Sequence, residues 1–286
     1  MSDNMNKNTS NDISNSSKLG LGTVQFGCDY GVSNKSGQVL ESEVLDILNY
    51  AKQNGINVLD TAQGYGESEK VLGKFDLSEF KIITKTMGVG KLETSLENLD
   101  IESVYGLMFH RGNEINDKSW ARFEDYKSQK MVEKIGVSVY LPSELEELIE
   151  KYPIDIVQLP LNLLDQRFLP ILPKLKEKNI EIHTRSAFMQ GLLLMDSKDV
   201  NSYFDSIKPI LEKLPQDGIE NRLAAALGFV NSIKEVDRII VGTTSVSELK
   251  QIVSALDKNN VPKNIKSFII EDEKFILPQN WKLEKN

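Results

Sequence analysis

Eight short apolar runs, each followed by a longer connection, constrain this chain more than any other feature. The runs fall at residues 19–23, 57–60, 81–85, 105–110, 134–139, 156–159, 181–185 and 238–241. Stretches with apolar residues at helical spacing, such as 41–54, 92–99, 143–151, 170–178, 221–232 and 246–256, lie between and after them. Ser42 and Ser247 read as helix starts, and Asn54-Gly55 and Asn179 as helix stops. Strands that return to one sheet through a helix run parallel, and a parallel sheet needs cover on its faces. Eight such units in 286 residues fit a closed (β/α)8 TIM barrel. No Pro/Gly/Ser-rich linker breaks the middle, so residues 18–286 are expected to form one domain. Residues 1–17, rich in Asn and Ser, read as a disordered tail without the apolar core of a secretory signal. The segment beyond Leu256, with Pro262 and Trp281, reads as a C-terminal extension packed over the barrel.

Four polar residues stand at the ends of successive runs. Asp60 closes Val58-Leu59-Asp60, Lys85 closes Ile82-Ile83-Thr84-Lys85, and His110 closes Leu107-Met108-Phe109-His110; Tyr65 lies on the connection after Asp60. In a parallel barrel these ends share one mouth, where chemistry is assembled from several strands. Singly, each has an ordinary explanation: a turn residue, a solvated lysine, a structural histidine. Together they form a proton-handling set. A free tyrosine titrates near ~10, and a neighbouring ammonium favours its ionised form. Lys85 is therefore expected to bring Tyr65 toward the working range, with Asp60 holding Lys85 and His110 bonding a substrate oxygen. The set suits proton transfer at a carbonyl oxygen while a hydride moves at its carbon.

Composition narrows the alternatives. A net charge of -8 without a long basic run argues against nucleic acid. One cysteine, Cys28, and two histidines, His110 and His183, leave little for a disulfide or a metal centre, so no metal site is expected. No apolar run reaches membrane-spanning length, and a reducing cytoplasm is the expected setting. Gly20-Leu21-Gly22 spaces its next glycine too late for a dinucleotide fingerprint, and Gly90-Lys91 has Lys85 where a P-loop needs its first glycine.

The stretch Asp60-Thr61-Ala62-Gln63-Gly64-Tyr65-Gly66, with Glu69 and Gly73, resembles the signature region of the aldo-keto reductases. Lys85, His110, Ser138, Gln158, Gln190-Gly191-Leu192 and Gly242-Thr243-Thr244-Ser245 follow in register, so the likeness spans roughly residues 19–256. The resemblance implies a barrel that binds NADP(H) or NAD(H) without a Rossmann domain. It makes Tyr65 the general acid, Lys85 and Asp60 its tuning pair, and His110 the substrate-orienting residue. Thr23, Asp60, Ser138 and Gln158 match nicotinamide contacts. Gly191, Leu192, Gly242, Thr243, Thr244, Ser245 and Gln251 match phosphate and adenosine contacts.

Three positions depart from that pattern. Val139 stands where an asparagine usually follows Ser138, and Arg185 where an aromatic residue usually stacks on the nicotinamide. Arg185 could itself stack there as a plane, grip an anionic substrate, or hold the pyrophosphate. Glu248 stands where NADP-preferring members place an arginine; family habit leans to NADP(H), and the carboxylate to NAD(H). The expected partner is a small carbonyl or alcohol, sugar-like by the polar loop at 26–37. A non-enzymatic nicotinamide-binding barrel, and a cofactor-free lyase or isomerase, remain as alternatives; the oligomeric state is open.

Overall fold

The structure, a computed structural model, describes residues 18–34, 36–88, 90–215, 218–258 and 260–283. The tail expected at 1–17 lies outside the described residues. Eight parallel strands close into a barrel in sequence order, with the first paired to the last. They are β1 (Leu19–Gly22), β2 (Val58–Asp60), β3 (Lys81–Thr86), β4 (Val104–Phe109), β5 (Val132–Ser138), β6 (Ile156–Pro160), β7 (Glu181–Arg185) and β8 (Arg238–Gly242). One main helix follows each strand: α1 (Glu41–Gln53), α2 (Ser68–Leu72), α3 (Leu92–Leu99), α4 (Asp117–Ser128), α5 (Pro142–Lys151), α6 (Leu172–Glu177), α7 (Ile219–Asn231) and α8 (Val246–Asp257). This is the (β/α)8 fold that the alternation implied.

Two helices were not among the sequence expectations. The five-residue α2 is too short to show a period, and α4 (DKSWARFEDYKS) has few apolar residues. It is held by the aromatic face of Trp120, Phe123 and Tyr126, and by a capping box between Asn116 and Ser119. Neither serine start signal marks its cap. Leu40 precedes α1 without a side-chain cap, and the cap of α8 is Ser245, two residues before Ser247. Asn54 does close α1, and Asn179 adopts the left-handed conformation after α6.

Side chains on a strand alternate between faces, so residues two apart share a direction. Val58, Ile83, Met108, Ile156 and Ile240 form an apolar cluster inside the barrel. Two residues further along come Asp60, Lys85, His110, Gln158 and Gly242. The same step leads from Gly136 to Ser138, paired in register with Ile156 and Gln158, and from His183 to Arg185, paired with Gln158 and Pro160. The polar ring at the C-terminal mouth is the next storey above the apolar plug.

Beneath the plug, the opposite end carries its own polar layer. Glu181 accepts from Tyr105 at 2.6 Å and from Lys134, and lies 2.6 Å from His183 Nε2. A charged layer at that end of a parallel barrel reads as barrel closure rather than chemistry. The large outer core fills the space between strands and helices. The C-terminal extension crosses from α8 to the loops after β6 and β7. Ile270 N donates to Leu164 O at 3.0 Å, Gln166 Nε2 to Ile265 O at 3.0 Å, and Trp281 packs edge-on against Phe204 at 4.9 Å.

Candidate active site

Lys85 is completely buried, and its ammonium spends its three protons within the site. It donates to Asp60 Oδ1 at 2.6 Å, to the carbonyl of Thr61 at 3.0 Å and to the Tyr65 hydroxyl oxygen at 3.3 Å. Gln158 Nε2 donates to the other Asp60 oxygen at 2.7 Å. The backbone N–H and hydroxyl of Thr23 both donate to the Asp60 carbonyl at 3.0 Å. The carboxylate is thus held from β3 and β6, with its backbone fixed by Thr23, and can serve as a rigid counter-charge for Lys85.

Tyr65 sits on a turn pinned from both sides. Gly66 takes φ 58°, and a Cβ on Gly27 would lie 1.8 Å from Tyr65 O, so the loop after β1 must be glycine there to let the tyrosine turn close. Glu67 N donates to Gly27 O at 3.2 Å and completes the contact. Since the Tyr65 oxygen accepts from Lys85, its own proton is free to point into the mouth.

The expected lowering of the Tyr65 pKa is corrected by the environment. Burial pushes the phenol well above its ordinary value, and the Asp60 carboxylate adds to that push, while Arg185 opposes it. Lys85 does contact the oxygen, yet its charge is largely matched by Asp60, so it does not overturn the desolvation. Lys85 is itself lowered by burial, with Asp60 restoring part of the loss. His110 is lowered to about 4, first by burial and then by Lys85, so it is a neutral imidazole at physiological pH. Its ring meets Tyr65 edge-on with centroids 5.8 Å apart, and its Nδ1 is buried without a hydrogen-bond partner. The four residues therefore form one cluster: a held proton, a neutral imidazole, and a cation locked to a carboxylate.

The remaining candidates line the same mouth. Ser138 and Gln158 are buried register partners at the ends of β5 and β6. Thr23 follows β1, but its fully buried hydroxyl faces Asp60 and Ser68. Gly191 and Leu192 lie in the turn after β7, where Ser186, Met189, Gln190 and Gly191 all take positive φ. The loop after β1 leans on that turn: Val32 N donates to Gln190 O at 3.2 Å, and Gln190 Nε2 to the Tyr30 hydroxyl at 3.0 Å. Gly242, Thr243, Thr244 and Ser245 run from β8 into α8, which carries Gln251.

Sequence reasoning missed how this last segment is filled. Glu248 Oε2 accepts from Thr244 N at 2.7 Å and from both threonine hydroxyls, at 3.1 Å for Thr243 and 3.0 Å for Thr244. Glu43, from the distant α1, accepts from Val246 N at 2.7 Å. Only the fold brings Glu43 there; nothing local in the sequence marks it. Tyr140 was also missed, and its ring lies 4.2 Å from the Arg185 guanidinium carbon. Arg167, which follows β6, makes a two-pronged pair with Asp165 at 2.9 Å and reaches Glu273 at 3.2 Å, so it ties down the extension. Among the described residues no group of acidic, histidine or cysteine side chains is placed to hold a metal, and no helix is long and apolar enough to cross a membrane.

The chain is similar to known proteins along most of its length. The chain is 23% identical to an uncharacterized oxidoreductase, YqkF, of Bacillus subtilis (strain 168), over 84% of its own length and 87% of the relative. It is 22% identical to the L-galactose dehydrogenase of Arabidopsis thaliana over 84% of each protein. Its fold matches the aldo-keto reductase AKR11C1 from Bacillus halodurans in its holo form, with TM-score 0.70 at 20% identity, covering 88% of this chain and 89% of that one. The glycerol dehydrogenase AKR11B4 from Gluconobacter oxydans matches with TM-score 0.65 at 19% identity over 91% and 92% of the two chains. The model of the Aldo/keto reductase family matches residues 18–268. With nearly the whole barrel inside that match, the chain belongs to the aldo/keto reductase family.

Proposed function

We propose that the protein is a nicotinamide-dependent oxidoreductase that interconverts a sugar-like aldehyde or ketone and its alcohol. The observation that carries this reading is the contact of the buried Lys85 ammonium with the Tyr65 oxygen, 3.3 Å away, while Asp60 holds the ammonium from behind at 2.6 Å. A binding module has no use for a phenol oriented this way. When bound, the reduced nicotinamide supplies a hydride to the carbonyl carbon. Tyr65 gives its proton to the carbonyl oxygen as the C–O double bond becomes single, and the Tyr65 oxygen left behind is stabilised by its bond from Lys85. Neutral His110 orients the same oxygen without adding a competing charge. In the alcohol-oxidising direction the proton returns to Tyr65.

Residues around the mouth support the reading of such a cofactor. Ser138 and Gln158 are suited to its carboxamide, Gly191 and Leu192 to its pyrophosphate, and the segment 242–245 with Gln251 to its adenosine half. The Thr244 and Val246 amides, however, already serve Glu248 and Glu43. Two carboxylates at that corner repel a 2′-phosphate and leave acceptors for a ribose hydroxyl. We therefore read the preference as NAD(H) over NADP(H), against family habit. The L-galactose dehydrogenase likeness supports a polyhydroxyl substrate, though at 22% identity it does not name one.

A panel of aldehydes, ketones and alcohols followed at the reduced-nicotinamide absorbance band tests the reading. Turnover of at least one sugar-like carbonyl is expected. No binding of NADH or NADPH at millimolar concentration would defeat it. A cofactor titration by fluorescence should give a lower dissociation constant for NADH than for NADPH, and a large NADPH advantage would remove the role given to Glu43 and Glu248.

A further inference from the structure

Arg185 ends β7 two residues beyond fully buried His183, which places it on the inner face at the rim of the mouth. Its guanidinium is held without being neutralised. Nη2 donates to Val139 O at 3.0 Å, Nη1 makes a long contact to Ser186 Oγ at 3.4 Å, and Tyr140 presents its ring 4.2 Å from the guanidinium carbon. Among the described residues no carboxylate oxygen lies within ion-pair distance of it. Arg167 and Arg222, by contrast, are matched by Asp165 and Asp196.

The guanidinium is also coupled rigidly to the reacting groups. Arg185 donates to Val139 O, Val139 N donates to Gln158 O at 2.9 Å, Gln158 Nε2 donates to Asp60 at 2.7 Å, and Asp60 holds Lys85. A continuous chain of hydrogen bonds thus fixes where the cation stands relative to Tyr65. Of five guanidinium donors, two are used within the chain, and three remain. With Lys85 and Asp60 cancelling and His110 neutral, Arg185 is the cation left unmatched beside Tyr65 within this cluster.

We propose that Arg185 binds an anionic oxygen group, carboxylate or phosphate ester, on the carbonyl substrate, so that the preferred substrates are sugar acids or sugar phosphates rather than neutral sugars. This deepens the reductase reading and rests on it for the carbonyl half. Both groups present paired oxygens that match the free edge of a guanidinium. The Tyr140 ring and the Val139 carbonyl keep that edge oriented before the substrate arrives, which lowers the entropy lost on binding.

The test compares matched pairs: glyceraldehyde 3-phosphate with glyceraldehyde, and 4-formylbenzoate with its methyl ester. The wild-type protein should favour the anionic member in kcat/KM by about 10- to 100-fold, mostly through KM, the size expected of a hydrogen bond to a charged group. In Arg185→Met the ratio should collapse toward unity, and Arg185→Lys should keep part of it. Whichever pair shows the larger ratio separates phosphate from carboxylate. Equal use of anionic and neutral carbonyls by the wild type overturns the proposal and leaves the reductase reading intact. A ratio unchanged in Arg185→Met, with NADH affinity falling tenfold or more, overturns it in favour of a cofactor role. Binding of benzoate against benzamide, followed by calorimetry, gives a readout without turnover. Benzoate binding that depends on Arg185 in a protein that reduces nothing would uphold the anion site and defeat the reductase.

Discussion

At the scale of single residues, Lys85 has the least freedom. All three of its protons are committed, and its removal would leave Asp60 buried with only Gln158 and the backbone around it. Unpairing a buried ion pair costs about 3–5 kcal/mol. Lys85→Met should therefore lower both turnover and stability toward urea, whereas the double variant Lys85→Met/Asp60→Asn should recover much of the stability and none of the turnover. His110 gives a pH prediction. Its pKa falls from 6.5 to about 4 on folding. Between those values the unfolded chain binds a proton that the folded chain does not, so this group makes stability fall as pH falls through that window, and adds no slope above it. The melting temperature of His110→Gln should fall less steeply than that of the wild type from pH 6.5 to 4. Asp60, Lys85 and His110 were legible in the sequence because each ends an apolar run, and Tyr65 because it lies on the short connection that follows Asp60. The direction of the Tyr65 shift was not, because desolvation depends on what the loops bury.

At the scale of the element, alternation along the strands did most of the placement. The step from Val58 to Asp60, Ile83 to Lys85, Met108 to His110 and Ile156 to Gln158 carries each strand from the plug to the mouth. Any reader of the sequence who found the apolar residue could find the polar one two places on. Helix starts were harder to read, since α1 has no side-chain cap, and the short α2 is held against its neighbours through Glu69 and a close approach at Gly73. Glu69 is buried and accepts from Thr84 Oγ1 at 2.5 Å, beside Lys85. The Tyr65 turn depends on Gly27 as much as on its own residues. Gly27→Ala has no room beside Tyr65 O, so it should displace the turn and reduce kcat by about tenfold or more, as misplacement of a reacting group by a fraction of an ångström does. Cofactor titration of the same variant, with circular dichroism as a check of folding, separates a moved tyrosine from a lost fold.

At the scale of the whole molecule, the barrel is divided into storeys, with closure at one end and the candidate site at the other. The Glu181 layer beneath the plug anchors the strands, and the Asp60 layer above it holds the site. The extension seals the outside of the loops that shape the mouth. Trp281 bonds Phe275 O at 2.8 Å and packs on Phe204 while remaining half-buried, so Trp281→Ala should cost about 1–3 kcal/mol of stability in thermal unfolding, the usual range for a single substitution outside the deep core. What the sequence left open was long-range: Glu43 reaching the start of α8, and Tyr140 meeting Arg185, join elements far apart in the chain. The central claim is that the Tyr65 proton is used in the chemical step alone. Tyr65→Phe keeps the ring and removes only the hydroxyl, so one pair of measurements on it is decisive: reduced-nicotinamide binding by fluorescence and single-turnover reduction of the best carbonyl. Binding within about threefold of wild type, with a rate lower by about 10²–10⁴, is the predicted result; near-normal reduction by Tyr65→Phe would contradict the account.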